Sequence, residues 1–466
     1  MRPVTLQQIA AWCGGAVTRG DEELTVEGVS RSSRDIRPGD LYVALQGQRF
    51  DGHSFIAEAM RKGARAALSM FPNGDGTPMV LVEDTLTALG DIAAGYRSTL
   101  PACVFGITGS VGKTTTKEML AQILSRSMRT CKTQENYNNN IGLPLTILSA
   151  PDDCEALVLE MGMNHFGEMS RLTRIAKPDV VIVGNIGTMH IENLGSREGI
   201  LKAKLEILDG LAADGIAVFN GDEPLLWDLR ERETCKLLYY GVENANVDVR
   251  ASDIENGEEG VSFTVTGLGR SFRVQLPIDG QHNVHNALAA ITAALEAGAE
   301  PEQIVSALAV FSNTGMRQNT YKKFGYTIID DCYNAGPESV EAALRVLSDR
   351  RCEGRKIAVL GDMLELGNRA SAEHYRVGRI AAGIVDELLC FGPNGPSTIT
   401  GAQTGGMTPR SAIAFDTKEE LVNTLVYQAR PGDMILFKGS RGMKMEQVLS
   451  AFLEKAEAAA REAEDL

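Results

Sequence analysis

The sequence has no excess of positive charge, which excludes several classes of partner. Its 46 lysines and arginines are outnumbered by 61 aspartates and glutamates, so the net charge is −15. A chain with this balance is not attracted as a whole to nucleic acid or to anionic lipid. We therefore expect no nucleic-acid partner. Any anionic phosphate must be bound by local donors.

Long apolar runs and closely spaced cysteine pairs are also missing. Residues 1–8 lack a basic stretch followed by an apolar run, so they do not resemble a secretion signal, and no later segment is apolar for long enough to span a membrane. The eight cysteines are scattered between Cys13 and Cys390 without a C-x-x-C pair, which favours buried reduced thiols over a disulfide framework or a zinc site. We expect a cytoplasmic protein without membrane insertion.

The length and the order of apolar runs predict three α/β domains. At about 150 residues per domain, 466 residues suggest three, and we place them at residues 1–100, 101–314 and 315–466. Short strands and helices mix in the first. In the other two, buried-strand runs alternate with helices, which is typical of parallel sheets. The runs are 103–108, 156–159, 180–183 and 216–219, then 326–329, 357–360, 387–391 and 434–437. Residues 247–276 predict a small antiparallel excursion.

A glycine-rich loop between a buried strand and a helix predicts a phosphate site. The loop residues are Gly109, Ser110, Val111, Gly112, Lys113, Thr114 and Thr115. Glycines let successive N–H groups surround a phosphate chain, and the helix N-terminus adds partial positive charge. Lys113 is placed for the outer phosphates of ATP and Thr114 for Mg²⁺. The first glycine of the usual pattern is replaced by Ile107. The loop alone does not distinguish a motor, a GTPase, a kinase or a ligase. A GTPase would need the guanine-reading N-K-x-D sequence, which is missing here.

Two further residue patterns invite a metal interpretation. Glu160 ends a buried strand near the phosphate loop, and a carboxylate at that position is well placed to bind Mg²⁺. His282 and His285 form an H-x-x-H pattern, but no third ligand is evident in the sequence.

Beyond the phosphate loop, segments across nearly the whole chain resemble the Mur ligases, which form amide bonds with ATP. The matching segments are Thr108–Thr115, Asn136–Leu145, Asn185–His190, Ala203–Glu206, Gly280–Ala287 and Gly315–Arg317. The resemblance implies a central P-loop ATPase domain and a Rossmann-like C-terminal domain. It also implies ATP contacts from Asn283, Asn286, Arg317 and Asp331. The same resemblance implies catalytic roles for Lys113, His190, Lys204 and Arg317. For the metal, it implies two Mg²⁺ sites, with Thr114, Glu160, His190 and a carbamylated Lys204 as ligands.

The first and third domains carry segments that resemble substrate-binding segments of the family. The resemblance implies that the small N-terminal domain binds a UDP-linked precursor through Ser33, Arg34, Asp51, Gly52, His53 and Phe55, with Asn138 and Asn139 from the second domain. Residues 330–339, 361–367 and 438–441 are similar to those of family members that add D-alanyl-D-alanine to a UDP-linked muramoyl tripeptide. Tyr333 and Asn334 are then expected to bind the dipeptide, while Gly336 replaces a usual asparagine.

The expected activity is therefore ATP-dependent ligation of D-alanyl-D-alanine to UDP-N-acetylmuramoyl-tripeptide through an acyl phosphate, by a monomer. Two alternatives stay open at this point. One is a relative with similar chemistry, such as folylpolyglutamate synthase, against which the Asp51–Phe55 and Tyr333–Asn334 segments argue. The other is a nucleotide-binding switch that hydrolyses ATP slowly.

Overall fold

The computed structural model describes residues 1–47, 50–72, 76–231, 235–257, 260–313 and 315–464. Within these ranges the strands form a two-stranded, a five-stranded, a nine-stranded and a six-stranded sheet. The three larger sheets follow one another along the chain, as expected for the predicted α/β architecture. Thr314, the last residue of the predicted second domain, lies outside the described residues.

The N-terminal unit is a small, mostly parallel sheet with helices beside it. Its elements are β1 (Val4–Thr5), α1 (Leu6–Cys13), β2 (Ala16–Arg19), β3 (Thr25–Val26), β4 (Gly28–Ser30), β5 (Asp40–Val43), α2 (Ile56–Arg61), β6 (Ala66–Ser69), β7 (Met79–Leu81) and α3 (Thr85–Arg97). The sheet order is β2-β7-β6-β5-β4, and only β2 runs antiparallel to its neighbour. These short strands and helices agree with the mixture expected for the first domain.

The central unit contains the largest sheet. Its elements are β8 (Cys103–Thr108), α4 (Lys113–Leu124), β9 (Thr130–Lys132), α5 (Gly142–Ser149), β10 (Ala156–Glu160), α6 (Glu168–Ala176), β11 (Val180–Val183), α7 (Ile191–Leu194), α8 (Arg197–Leu205), β12 (Ile216–Asn220), α9 (Pro224–Trp227), β13 (Lys236–Gly241), β14 (Val249–Gly257), β15 (Gly260–Gly267), β16 (Arg270–Leu276), α10 (Gln281–Glu296) and α11 (Pro301–Leu308). The sheet order is β16-β15-β14-β13-β12-β11-β8-β10-β9. Neighbouring strands pair in parallel from β9 through β8 to β14, and β14, β15 and β16 form the expected antiparallel excursion.

Helices cover both faces of the central sheet, which explains why its inner strands β8, β10, β11 and β12 are mostly apolar. Val104 of β8 packs in a core that also includes residues of α3, α5 and α6. Its neighbour Phe105 faces the opposite core, with α4 and α10. The first of these cores extends into the N-terminal unit, where the Tyr96 hydroxyl donates to the carbonyl of Ala150 over 2.8 Å. Strands buried on both faces carry continuous apolar runs, as the sequence predicted.

The C-terminal unit is a second doubly wound sheet. Its elements are β17 (Asn319–Lys323), β18 (Tyr326–Asp331), α12 (Pro337–Asp349), β19 (Lys356–Gly361), α13 (Ala370–Ala382), β20 (Glu387–Phe391), α14 (Gly395–Thr404), β21 (Ala412–Phe415), α15 (Lys418–Gln428), β22 (Met434–Lys438) and α16 (Glu446–Glu464). The order is β17-β18-β22-β19-β20-β21, with only β17 antiparallel. The sequence did not predict β17, since this polar edge strand has no apolar run. In the part of the chain that is described, no helix is both long and apolar enough to cross a membrane.

Candidate active site

A cavity of about 920 Å³ lies where β8 and β10 end and meets the C-terminal unit. It brings together most of the residues predicted for ATP, metal and dipeptide, together with the two asparagines of the central unit that were predicted for the UDP-linked substrate. These are Ser110, Val111, Gly112, Lys113, Thr114, Thr115, Asn138, Asn139, Glu160, His190, Lys204, Asn283, Asn286, Arg317, Asp331, Tyr333 and Asn334. Residues that are far apart in the chain therefore share one solvent space. A ligand in this cavity would contact both units.

The phosphate loop has the backbone that anion binding requires. Gly112 adopts φ +82°, a left-handed conformation that favours glycine, and α4 begins directly after it without a side-chain cap. The first N–H groups of α4 therefore remain available for phosphate oxygens. A Cβ atom on Gly112 would collide with the amide of Asn286. The loop and the Gly280–Ala287 segment, which were predicted separately, thus pack against each other.

Lys113 folds back over its own loop. Its Nζ donates to the carbonyls of Gly109 and Ser110 over 2.8 and 3.4 Å. Burial lowers the pKa of Lys113; nearby Glu160 opposes this shift and Arg317 adds to it. The ammonium is thus held at the loop by weak carbonyl acceptors. A phosphate chain would be a better partner for this cation.

Glu160 is the acidic centre of the cavity and is only 2% exposed. The Thr114 hydroxyl donates to one of its carboxylate oxygens over 2.6 Å, and the Asn138 amide donates to the other over 2.8 Å. Hydroxyl and carboxylate oxygens are ligands that Mg²⁺ prefers. Asn138, which was expected near the UDP-linked substrate, is directly bonded to this acid.

A buried network behind Glu160 was not predicted. The N–H of Glu160 donates to the Thr133 hydroxyl over 3.0 Å, and the carbonyl of Thr133 accepts from Lys117 Nζ over 2.7 Å. Lys117 is 1% exposed and pairs with Glu118 over 2.9 Å. A lysine in a helix ordinarily faces solvent, so nothing in the sequence marked Lys117 as buried.

Lys204 and Lys202 have opposite environments, although they are two residues apart on α8. Lys202 is exposed and lies 5.8 Å from the ring centre of Phe166. Lys204 is 3% exposed, and no carboxylate pairs with it among the residues that the structure describes. Burial holds the pKa of Lys204 well below its usual range, and the charge of Lys113 lowers it further. The environment therefore favours a neutral amine at Lys204.

His190 lies at the edge between the central and C-terminal units. It adopts φ +63°, and its Nδ1 is 2.6 Å from a carboxylate oxygen of Glu365, although the two atoms are not aligned as a hydrogen bond. Within the described ranges no group of three or more His, Cys, Asp or Glu side chains is arranged to hold a metal ion. A metal here would need hydroxyl, phosphate or modified-lysine oxygens in addition to Glu160.

The C-terminal unit contributes cationic and aromatic side chains. The Arg317 guanidinium lies 4.0 Å from the ring centre of Tyr333. Asp331 pairs with Lys438 over 2.6 Å, and Lys438 also donates to the carbonyl of Asn334 over 2.9 Å. Lys438 was part of a matching segment without an assigned role. The structure shows that it joins the ends of β18 and β22 beneath the predicted dipeptide residues.

His282 and His285 contact different partners, so they do not form one metal site. His282 Nε2 lies 3.1 Å from the side-chain oxygen of Gln318, whereas His285 Nε2 lies 2.9 Å from Asp222. Burial opposes the charge of Asp222, but the bonds from His285 and from three backbone N–H groups hold its pKa below the usual range. The amide of Asn283 donates to the same Gln318 oxygen over 3.1 Å.

The predicted UDP segment of the N-terminal unit does not line the cavity. Ser33 is buried and Arg34 is exposed. Asp51 lies 2.6 Å from His53 Nδ1, and the other ring nitrogen accepts from the N–H of Met70 over 3.1 Å. His53 is thus fixed from both sides rather than free on the surface. The other members of the predicted set on this unit are Gly52, in a 3-10 turn, and Phe55, which is 38% exposed.

Comparisons with known proteins match nearly the whole length of the chain. Three domain families match: Mur ligase family, catalytic domain, at residues 25–97; Mur ligase middle domain at 107–294; and Mur ligase, glutamate ligase domain, at 316–441. The UDP-N-acetylmuramoyl-tripeptide--D-alanyl-D-alanine ligase of Bacillus subtilis (strain 168) is 41% identical over 97% of this chain and 98% of its own. A crystal structure of MurF from Acinetobacter baumannii superposes with a TM-score of 0.90 at 33% identity, covering 97% of this chain and 99% of its own. The structure of MurF ligase from Thermotoga maritima in complex with ADP has a TM-score of 0.83 at 32% identity, covering 93% and 99%.

Proposed function

Because this chain belongs to the Mur ligase family, we propose that it joins D-alanyl-D-alanine to UDP-N-acetylmuramoyl-tripeptide with ATP. The product is the UDP-linked pentapeptide used in peptidoglycan synthesis. The protein is a ligase that binds ATP, as its family and its relatives indicate. One observation carries the proposal: a single cavity is lined by the phosphate loop and by the Asp331–Asn334 segment. A nucleotide switch would not need a second substrate segment facing the nucleotide.

The chemistry requires activation of a carboxylate. The γ-phosphoryl group of ATP moves to the peptide carboxylate, which gives an acyl phosphate and ADP. The amine of the dipeptide then attacks the acyl carbon, the amide forms, and phosphate leaves while the amine loses a proton. Lys113 and Arg317 oppose the negative charge that develops on the transferred group. Closure of the cavity by the C-terminal unit would keep water from the acyl phosphate.

Glu160, Thr114 and Lys204 are the residues that fit a metal. Mg²⁺ bound there would neutralise phosphate charge. Glu160 and Thr114 supply hard oxygen atoms, whereas an ammonium on Lys204 would repel the ion. Within the described ranges Lys204 has no carboxylate partner, and burial together with the charge of Lys113 lowers its pKa, which favours the uncharged amine whose electron pair captures CO₂. We therefore assign a carbamate to Lys204, with His190 beside it, as part of two Mg²⁺ sites.

The finer assignments follow the same family. We place the UDP-binding domain at residues 1–100, the ATP-binding domain at 101–314 and the amine-binding domain at 315–466. Ser33, Arg34 and the Asp51–Phe55 segment are assigned to the UDP-linked precursor, and Tyr333 with Asn334 to the dipeptide. We propose a monomer that works in the cytoplasm, where ATP and nucleotide-linked precursors are supplied.

A substrate panel tests the proposal. Phosphate release is measured with UDP-muramoyl tripeptides that carry either lysine or a diamino acid as the third residue, each with and without D-alanyl-D-alanine. We expect release only when ATP, a tripeptide and the dipeptide are all present, together with formation of the pentapeptide. Steady release without the dipeptide would support a slow ATPase instead. Release with a folate as the carboxylate substrate and glutamate as the amine would favour the folylpolyglutamate synthase alternative.

A further inference from the structure

The loop at residues 185–190 is hydrogen-bonded to three different parts of the molecule: the phosphate loop, α8 and α12. Asn185 exchanges hydrogen bonds with the backbone of Val111 in the phosphate loop, over 2.9 and 3.0 Å. The N–H of Gly187 donates to the Ser110 hydroxyl over 2.8 Å. On the α8 side, Arg197 donates twice to the carbonyl of residue 186, over 3.0 and 2.7 Å. These bonds fix one side of the loop to the central unit.

The other side of this loop is held by the C-terminal unit, through Glu338. One carboxylate oxygen of Glu338 accepts from both the N–H and the hydroxyl of Thr188, over 2.8 and 2.9 Å. Glu338 lies in the first turn of α12, which is 150 positions further along the chain. Its other oxygen is buried and has no hydrogen-bond partner among the residues that the structure describes. In the described part of the chain this carboxylate therefore accepts hydrogen bonds from Thr188 alone, and the residue also lines the cavity.

The sequence of the loop accommodates that carboxylate. A Cβ atom on Gly187 would lie 2.8 Å from the carboxyl carbon of Glu338 and 3.0 Å from both oxygens. A larger residue at position 187 would displace the end of the Glu338 side chain. Glycine at 187 and glutamate at 338 thus form a matched pair across the two units. Two residues after Thr188 comes His190, which contacts Glu365 of the C-terminal unit.

We infer that Glu338 is a positioning residue. It fixes the conformation of the loop at residues 185–190 when the C-terminal unit docks on the central unit. Docking then fixes the position of His190. It also fixes the phosphate loop, because the N–H of Gly187 donates to the Ser110 hydroxyl. Two hydrogen bonds to one carboxylate suit this role, because hydrogen bonds to a charged group are stronger than those between neutral groups. The proposal rests on the proposed function for its effect on turnover, but not for its effect on the loop itself.

The direct test is amide hydrogen exchange of the peptide that covers residues 186–194. In Glu338→Ala the N–H of Thr188 loses its acceptor, so we expect its exchange to speed up by roughly tenfold or more. Glu338→Gln keeps an acceptor oxygen and should lie between the two. Glu419→Ala is the matched control, since Glu419 occupies the first turn of α15 in the same unit and is exposed. It should leave the exchange unchanged.

Turnover and a second substitution complete the test. We expect kcat of Glu338→Ala to fall roughly tenfold, with a higher Mg²⁺ concentration for half-maximal activity and little change in the KM for the dipeptide. Gly187→Ala should reproduce these changes, and the double variant should be no worse than either single variant. Unchanged exchange in both Glu338 variants, or additive effects of the two substitutions, would overturn the proposal. If the wild-type protein fails to ligate, the proposed function fails, while the exchange measurement still decides the role of Glu338.

Discussion

The phosphate loop and the predicted UDP segment differ in what holds their side chains. Around the loop, Thr114, Asn138 and Glu160 are buried or half-buried and bonded to one another. In the N-terminal unit, Arg34 is exposed, and Asp51 is half exposed in its pair with His53. Polar groups in the first region are already hydrogen-bonded inside the cavity, whereas in the second region Arg34 faces solvent and Asp51 is half exposed. Substitutions in the first region should therefore lower turnover, and substitutions in the second should weaken substrate binding.

Lys113→Ala should give the largest effect. The variant loses the cation that we assign to the transferred phosphoryl group, and such a donor accounts for roughly 10²–10³ in kcat. Phosphate release with all three substrates measures this loss. Lys236→Ala, on an exposed lysine of the same sheet that pairs with Glu296, is the matched control. Turnover of folded Lys113→Ala within a few-fold of the wild type would remove the distinction between the two regions.

Lys204→Ala should come next, with activity lowered roughly 100-fold because a buried oxygen ligand is lost. Formate or acetate should restore part of the rate by occupying the place of the carbamate. Lys202→Ala is the control, since that exposed lysine lies two residues away on the same helix. An active Lys204→Ala enzyme would contradict the carbamate. So would high-resolution density for a bare amine beside bound metal.

The buried region around the phosphate loop is also the part of the molecule that the sequence predicted best, although some of its contacts were missed. Apolar runs predicted β8 and β11 with their observed bounds, and the glycines between strand and helix predicted the phosphate loop. The sequence did not predict that Lys117 would support Glu160 through Thr133, or that Glu338 would bond Thr188. These partners are far apart in the chain and meet only through packing of the sheets. A pattern in sequence reports local periodicity, and it carries no information on such long-range pairs.

Arg34→Ala should have a smaller effect, on binding alone. If Arg34 donates to the pyrophosphate of the UDP-linked precursor, its loss should raise the KM for that substrate roughly tenfold, with the KM for ATP nearly unchanged. Steady-state kinetics with each substrate varied in turn would measure both constants. Arg61→Ala, on an exposed arginine of α2, serves as control. Equal changes in both KM values would place Arg34 outside the UDP site.

The smallest effects concern stability, and they compare one carboxylate from each region. Burial raises the pKa of Glu118, but Lys132 and Lys117 outweigh it and leave this pKa below the usual value. A carboxylate with a lowered pKa stabilises the fold above its unfolded pKa, about 4.3, and this contribution is lost as the pH falls through the folded pKa. Glu118→Gln should therefore lower the free energy of unfolding by roughly 2 kcal/mol at neutral pH, and the difference should shrink below about pH 4.3.

Asp51→Asn is the counterpart in the exposed region. The bond from His53 lowers the pKa of Asp51, so the sign of its pH dependence is the same. The Asp51 side chain is half exposed, however, and interactions of exposed charges contribute little and are screened by salt. Urea unfolding of both variants between pH 3 and 8, at low and high salt, should show the smaller and more salt-sensitive difference for Asp51→Asn. If Asp51→Asn destabilises as much as Glu118→Gln, the N-terminal segment is held as firmly as the phosphate site.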